Sequence, residues 1–157
     1  MTETSLHVSS LEPADIPDVV RIAELCGLGH WTARDYLLEI ARRDAITLRL
    51  ASDSARCVGF LVARIIPGNG LLPDTELYNV GIHPMHLRAG GGNLLMSALL
   101  TECRRQGVEY IWLDVRTGST GAIAFYTKWG FAETANRRSF YRDPVEDAVV
   151  MQLKLGV

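Results

Sequence analysis

The chain has 157 residues, of which 48% are hydrophobic and 22% are charged, and its formal net charge is −2. These values exclude a disordered chain and predict a single domain over residues 1–157. A slightly acidic balance argues against dependence on nucleic-acid phosphates, and no apolar run approaches the roughly 18 residues of a membrane span. We therefore predict a cytoplasmic protein with no direct nucleic-acid partner and no membrane partner.

The first third of the sequence predicts one strand and two helices. The strand is expected at Leu6 to Ser9, and an acidic first helix follows and ends at Gly27 and Gly29. Thr32 is the predicted N-cap of the second helix. Helical spacing of apolar residues gives this helix a predicted inner face of Tyr36, Leu37, Ile40 and Ala41.

From Ala45 the apolar residues alternate with polar ones, which is the period of a strand. A hairpin is predicted over 45–52 and 57–66, and a further strand over 76–82 that ends before Pro84. Three antiparallel strands therefore precede the next helix.

A glycine-rich loop, Arg88-Ala-Gly-Gly-Gly-Asn93, leads from this strand into a helix predicted over 90–106. The start of a helix offers unpaired N–H groups and a partial positive charge, so the loop predicts a phosphorylated ligand. A P-loop is excluded because Asn93-Leu94 follows the last glycine instead of lysine and a hydroxyl residue. A dinucleotide loop fits poorly, since it opens an all-parallel sheet.

The remaining sequence predicts a strand over 109–115, a short helix over 120–129 and a closing hairpin over 131–141 and 148–155. A strand, a helix and a strand in succession imply a parallel pair. The predicted fold is α/β (α+β), with a mixed central sheet of about seven strands, largely antiparallel with one central parallel pair, and about four flanking helices.

Cysteine and histidine placement gives no sign of a metal centre. The three cysteines, Cys26, Cys57 and Cys103, are far apart, which is typical of reduced packing residues. The four histidines share no metal-ligand spacing, so we predict no metal.

Two motifs resemble the Gcn5-related N-acetyltransferase (GNAT) family. Gly90 and Gly92 stand where that family has the glycines of its acetyl-coenzyme A loop, and Ala122 to Phe131 resembles its tyrosine-bearing segment. Together with residues 112–116, 137–141 and 146–151, the resemblance covers residues 11–155. It is strongest to the RimI branch, which acetylates protein N-termini.

The resemblance implies acetyl-CoA as cosubstrate. The cofactor-binding residues that it implies are Val80, Gly81, Ile82, Leu87, Arg88, Ala89, Gly90, Gly91, Gly92, Asn93, Ser119 and Tyr126. Leu87 stands where the family has glutamine or arginine, so binding is predicted to depend on backbone N–H groups and Arg88. Gly81 is interpreted as a position where the ligand lies against the backbone.

The resemblance also assigns the catalytic residues, with Asp114 as the base and Tyr126 as the general acid. Asp114 replaces the usual RimI-type glutamate, and Ser119 stands where the family often has asparagine. From composition alone, Asp114 is more typical of a carboxylate that is either solvated at a strand end or paired with Arg116, and Tyr126 is more typical of a buried structural tyrosine. A phenol with a pKa of about 10 is nevertheless suited to protonating a thiolate.

The predicted acceptor is the N-terminal α-amine of a protein, with a ribosomal protein suggested by the resemblance. An α-amine titrates near pH 8 and a lysine near 10.4, so an α-amine is deprotonated more easily by a weak base. The candidate acceptor-binding residues are Trp31, Tyr36, Glu76, Asn79 and Tyr141. The alternatives are a small-molecule amine, a protein lysine, or a non-catalytic acyl-CoA-binding module. We predict a monomer or weak dimer.

Overall fold

The computed structural model describes residues 5–28 and 30–156. The described residues form seven strands and four α-helices. The strands are β1 Leu6–Ser10, β2 Ala45–Ser52, β3 Gly59–Pro67, β4 Pro73–Ile82, β5 Tyr110–Arg116, β6 Ala132–Tyr141 and β7 Glu146–Lys154. The helices are α1 Ile16–Leu25, α2 Ala33–Ile40, α3 Gly91–Arg105 and α4 Thr120–Lys128.

The strands form one sheet in the order β1-β2-β3-β4-β5-β7-β6. β4 and β5 run parallel, with Thr75 opposite Ile111. Antiparallel pairing joins β1 to β2, β2 to β3, β5 to β7 and β6 to β7. The predicted mixed sheet with a central parallel pair is therefore confirmed.

The chain divides into two compact units, and the first contains the described residues up to Arg64 together with Tyr78–Gln106. Its apolar core joins the inner face of α1 to Phe60 and Val62 of β3. The predicted N-cap of α2 is confirmed, because the Thr32 hydroxyl accepts a hydrogen bond from the Asp35 amide at 3.2 Å. Gly27 follows α1 with φ of 70°, while Gly29 lies outside the described residues.

The inner face of α2 differs from the prediction. Leu37 and Ala41 are exposed, whereas Glu39 is buried beside Tyr36. The Glu39 carboxylate accepts a hydrogen bond from Nε of Arg64 on β3 at 2.9 Å. A buried carboxylate is tolerated because this guanidinium compensates its charge, which hydrophobic periodicity does not reveal.

The second unit contains Ile65–Leu77 and residues 107–156. Alternate residues of β5, namely Ile111, Leu113 and Val115, are buried, and β7 buries Ala148 to Met151. β6 is exposed along nearly its whole length, with a partly buried Tyr141 at its end. Trp112 is fixed by a hydrogen bond from its Nε1 to Asp74 at 2.9 Å. The single domain over 1–157 stays a prediction.

The three cysteines occupy two different environments. Cys57 and Cys103 are buried, in agreement with the packing role, but Cys26 is exposed and donates to the carbonyl of Ile82. Burial raises the pKa of the Cys57 thiol to about 12, so this thiol is held in its neutral form. No helix of the described chain is long and apolar enough to cross a membrane.

Candidate active site

The glycine loop lies in the first unit, between the end of β4 and the start of α3. A short 3-10 turn, Pro84–His86, follows β4, and the His83 imidazole caps it by accepting from the Met85 amide at 3.1 Å. The loop then turns through two left-handed residues, Arg88 with φ of 65° and Gly90 with φ of 83°. Gly90 is the N-cap of α3, which extends for 15 residues.

This loop suits a pyrophosphate. No atom lies within 4 Å of the position that a Cβ on Gly90 would take, so a ligand has access to the backbone there. The first amides of α3 add the partial positive charge of a helix N-terminus. Of the other predicted cofactor-binding residues near this helix start, Leu87, Arg88, Ala89 and Asn93 are exposed, and Val80, Ile82 and Gly92 are partly buried.

Two glycines near the loop have a packing role that the sequence did not reveal. A Cβ on Gly91 would lie 2.4 Å from Cδ2 of Leu50, so α3 approaches β2 too closely for any side chain. A Cβ on Gly81 would meet Phe60 at 3.0 Å and Ile22 at 3.2 Å. The steric reason for Gly81 is therefore core packing, and its role in cofactor binding stays a prediction.

Asp114 lies on β5 in the second unit, opposite Val150 of β7. Its Oδ1 accepts a hydrogen bond from Nε of Arg137 on β6 at 3.0 Å. The alternative pairing with Arg116 is wrong, because that guanidinium donates to Oε1 of Glu146 at 3.2 Å instead. Asp114 retains 22% side-chain exposure, so its carboxylate is accessible from solvent.

Tyr126 lies on α4 and is partly buried. Its ring packs edge-on against Phe125 and Phe131, with centroids 5.5 and 5.6 Å away. Burial raises the pKa of the Tyr126 phenol to about 12, with a smaller contribution from Tyr141. The phenol therefore stays protonated through the physiological range and is available as a proton donor.

Tyr141, at the end of β6, belongs to a network of charged groups in the same unit. The Arg116 guanidinium lies 4.5 Å above its ring. Glu146 accepts from Arg116 and also from the Gly118 amide at 2.6 Å, which fixes the backbone before α4. Burial, reinforced by the charge of Asp114, raises the pKa of Tyr141 to about 12.

Ser119 is the N-cap residue of α4, but its side chain makes no capping hydrogen bond. Its amide donates to the carbonyl of Arg116 at 3.0 Å, and its carbonyl accepts from the Ile123 amide. The turn from Arg116 to Ser119 is thus held by its backbone and by Glu146, without help from the Ser119 hydroxyl.

The predicted acceptor-binding residues fall in different surroundings. Trp31 is partly exposed and its ring lies 5.2 Å from that of Tyr36. Tyr36 is only 1% exposed, so its side chain lies in the core and lines no groove. Its hydroxyl has no hydrogen-bond partner among the described residues, and burial raises its pKa to about 12. Glu76 and Asn79 are partly buried on β4.

Trp31 also borders an open cleft of about 730 Å³ beside α2, which contains the Glu39 and Arg64 ion pair. Within the part of the chain that the structure describes, no group of His, Cys, Asp and Glu side chains is placed to hold a metal ion.

The fold and these motifs define an acyltransferase of the type predicted from the sequence. Residues 16–131 match the model of the Acetyltransferase (GNAT) family. Because this match covers more than half of the chain, the protein belongs to the GNAT acetyltransferase family. The predicted family and the predicted acyltransferase class are therefore confirmed.

Individual relatives resemble the chain over nearly its whole length. The [Ribosomal protein bS18]-alanine N-acetyltransferase of Escherichia coli K12 is 28% identical over 152 residues, which is 96% of this chain and 98% of that protein. The crystal structure of the ribosomal-protein-S18-alanine N-acetyltransferase from Escherichia coli has a TM-score of 0.85 at 26% identity, covering 98% of this chain and 96% of that one. Ard1 from Thermoplasma volcanium has a TM-score of 0.87 at 26% identity, covering 97% and 99%.

Proposed function

We propose that the protein transfers the acetyl group of acetyl-CoA to the N-terminal α-amine of another protein. The observation that carries this proposal is the similarity to the bS18-alanine N-acetyltransferase of Escherichia coli, which extends over 98% of that enzyme. The proposed acceptor is accordingly a ribosomal protein, and the proposed place of action is the cytoplasm.

The left-handed loop and the start of α3 are the proposed pyrophosphate site. Backbone N–H groups around Gly90 to Gly92 and the exposed Arg88 guanidinium provide donors and positive charge. Leu87 is 57% exposed and apolar, so it adds no polar contact to a phosphate. When bound, acetyl-CoA supplies an acetyl group activated as a thioester.

Asp114 is the proposed base. Its carboxylate accepts a proton from the acceptor's ammonium group, which leaves a neutral amine with a lone pair for attack on the acetyl carbonyl. Freeing a lysine amine at neutral pH requires about 3 kcal/mol more than freeing an α-amine, because their ordinary pKa values differ by more than two units. A single carboxylate acting as the only base is therefore better suited to an α-amine.

Tyr126 is the proposed general acid, with the proton held on its phenolic oxygen. The N–C bond forms as the C–S bond breaks, Tyr126 donates its proton to the departing sulfur, and the proton that the acetylated nitrogen then loses returns through solvent to the phenolate. Its pKa of about 12 lies roughly three units above that of an ordinary thiol. The phenol therefore hydrogen-bonds first and releases its proton only as negative charge develops on sulfur.

Thiol release from acetyl-CoA with a panel of acceptors tests the proposal. The panel contains peptides with a free α-amine, the same peptides with that amine blocked, peptides with blocked lysines, and small free amines. Release is expected with every free α-amine peptide, with or without blocked lysines, and is lost when the α-amine is blocked. Release that follows lysine or small amines instead would overturn the proposed acceptor, and acetyl-CoA binding without release would indicate a non-catalytic module.

A further inference from the structure

The Asp114 carboxylate holds a cation in the structure, the guanidinium of Arg137. We propose that the Arg137 guanidinium occupies the place of the acceptor's ammonium group on Asp114 and is displaced when the acceptor binds. This inference rests on the proposed role of Asp114 as the base. It makes Arg137 a determinant of acceptor affinity, a role that no sequence motif assigned to it.

The contact between the two residues has the geometry that a bound ammonium would need. Nε of Arg137 lies 3.0 Å from Oδ1 of Asp114. A base must lie within about 2.6–3.2 Å of the nitrogen from which it takes a proton. An acceptor ammonium in reach of Oδ1 would therefore meet a carboxylate whose charge Arg137 already compensates, and because two cations on one oxygen repel each other, the two groups compete.

The pair is weak enough to exchange. The Arg137 side chain is 55% exposed on β6, and it meets Asp114 through one nitrogen and one oxygen. Exposed ion pairs without bidentate geometry contribute little to stability, because water and salt screen them. A second cation can therefore replace the guanidinium without disturbing the fold.

The guanidinium of Arg116, in the same unit, is held by several acceptors and serves as a comparison for Arg137. It donates to Glu146 at 3.2 Å, to the Pro144 carbonyl at 3.0 Å and to the Arg142 carbonyl at 3.3 Å. Its guanidinium also lies 4.5 Å above the Tyr141 ring. Arg137 has no such set of acceptors among the described contacts, so of the two guanidinium groups it is the exchangeable one.

A displaced Arg137 has a second partner close by. Its guanidinium carbon already lies 5.6 Å from the centroid of the Phe140 ring. Ser139 between them has φ of 50°, and its amide donates to Asp147 at 2.7 Å, which holds the irregular part of β6 in place. A ring face attracts a cation, so the guanidinium can leave Asp114 and retain a favourable contact.

Steady-state kinetics with a free α-amine peptide tests this proposal. Arg137→Gln is expected to lower the acceptor KM about two- to fivefold, in line with the small free energy of an exposed pair, with little change in kcat. Arg137→Lys keeps a cation and should remain near the wild-type KM. Arg138→Gln, an equal loss of charge on the next residue of β6, is the matched control and should leave the acceptor KM unchanged.

A competition experiment distinguishes displacement of the guanidinium from a structural effect of the substitution. In Arg137→Ala, guanidinium chloride at about 0.2 M, the range in which so weak a contact is substantially occupied, should raise the acceptor KM competitively, while sodium chloride at equal ionic strength should not. In the wild type the two salts should act alike. An unchanged or higher acceptor KM in Arg137→Gln, the same decrease in Arg138→Gln, or identical action of the two salts on Arg137→Ala overturns the inference.

The failure of this inference is distinct from failure of the proposed function. If the wild type acetylates α-amine peptides and Asp114→Asn abolishes that activity, the base assignment stands whatever Arg137 does. If Asp114→Asn keeps full activity, the basis of the inference is lost, and Arg137 has no ammonium site to occupy.

Discussion

At the scale of single residues, the phenol of Tyr126 is the group whose loss should affect the chemistry most directly. Tyr126→Phe removes the proton donor but keeps the ring between Phe125 and Phe131. We expect kcat to decrease by about 100-fold or more, the usual size of general-acid catalysis. Thiol release at saturating acetyl-CoA measures the change.

The matched control is Tyr110→Phe, since Tyr110 is a partly buried tyrosine on β5 of the same unit. It should leave kcat unchanged. A Tyr126→Phe enzyme with wild-type kcat and a wild-type thermal unfolding curve would remove Tyr126 from the mechanism and leave it as a packing residue.

The residues of the site were predictable to different degrees. Asp114 and Tyr126 were selected because they stand in recognisable motifs, and their roles remain proposals. The partner of Asp114 was not predictable, because Arg137 reaches it through β6, whose pairing with β7 contains register shifts. Tyr36 was predicted both on the inner face of α2 and in the acceptor groove, and only the first holds, because helical spacing identifies a buried position whereas aromatic residues near loops are common both in cores and in grooves.

At the scale of elements, the loop and helix α3 predict a difference between neighbouring glycines. Gly91→Ala should lower the free energy of unfolding by about 1–3 kcal/mol, because overpacking forces backbone or side-chain shifts, here at Leu50. Gly90→Ala meets no neighbour. It should cost about 1–2 kcal/mol in backbone strain and raise the KM for acetyl-CoA. Denaturant unfolding and thiol-release kinetics measure these quantities.

Leu87→Ala is the comparison for both variants. Its side chain is 57% exposed, so its replacement should change stability by less than about 0.5 kcal/mol and leave the KM for acetyl-CoA nearly unchanged. An acetyl-CoA KM that rises more for Leu87→Ala than for Gly90→Ala would contradict binding through the backbone.

Helix α2 is joined to β3 by the buried carboxylate of Glu39. Glu39→Gln leaves the Arg64 guanidinium without its anion, and we expect a loss of about 2–3 kcal/mol, less than for a fully buried pair, because Arg64 is 29% exposed. Glu102→Gln is the control, since Glu102 forms an exposed helical pair with Arg105 worth less than about 0.5 kcal/mol. Equal unfolding midpoints for the two variants would show that Glu39 does not anchor α2.

The order and type of the elements were predictable because each element has a clear period and a turn signal at its ends. The two-residue alternation from Ala45 and the glycines after α1, α3 and α4 mark boundaries through local chemistry. Glu39 and Gly91 were misjudged or missed because their reasons lie in contacts between elements. Apolar periodicity does not reveal the Arg64 guanidinium on β3 beside Glu39 or the Leu50 side chain of β2 beside Gly91.

At the scale of the whole molecule, three tyrosines predict sensitivity to alkaline pH. Tyr36, Tyr126 and Tyr141 each have a pKa raised to about 12 by burial, against about 10 in an unfolded chain. Their neutral forms are favoured by folding, so this stability is fully present below pH 10 and is lost as the pH rises through 12. Circular dichroism and tyrosinate absorbance, recorded together, should change in one transition in this range.

Tyr36→Phe tests the contribution of the most deeply buried of these three side chains to this loss of stability. Tyr36 is 1% exposed, and for so buried a group a pKa raised from about 10 to about 12 corresponds to roughly 3 kcal/mol. The variant should unfold at higher pH than the wild type. At neutral pH it should be at least as stable, since it removes a buried hydroxyl without a partner. A variant that unfolds at lower pH, or is destabilised at neutral pH, would show that the hydroxyl is satisfied in solution.

The left-handed turn at Arg88 and Gly90 limits how this loop can change during evolution. The backbone dihedral angles that define the loop do not depend on exposed side chains. Substitutions at Leu87 and Ala89 are therefore expected to be tolerated in proteins that descend from this chain. Position 90 is restricted to residues that tolerate a φ near +83°, which are glycine and, less readily, asparagine. Divergent members of such a lineage would thus be aligned more dependably by the left-handed backbone at positions 88 and 90 than by the side chain at position 87.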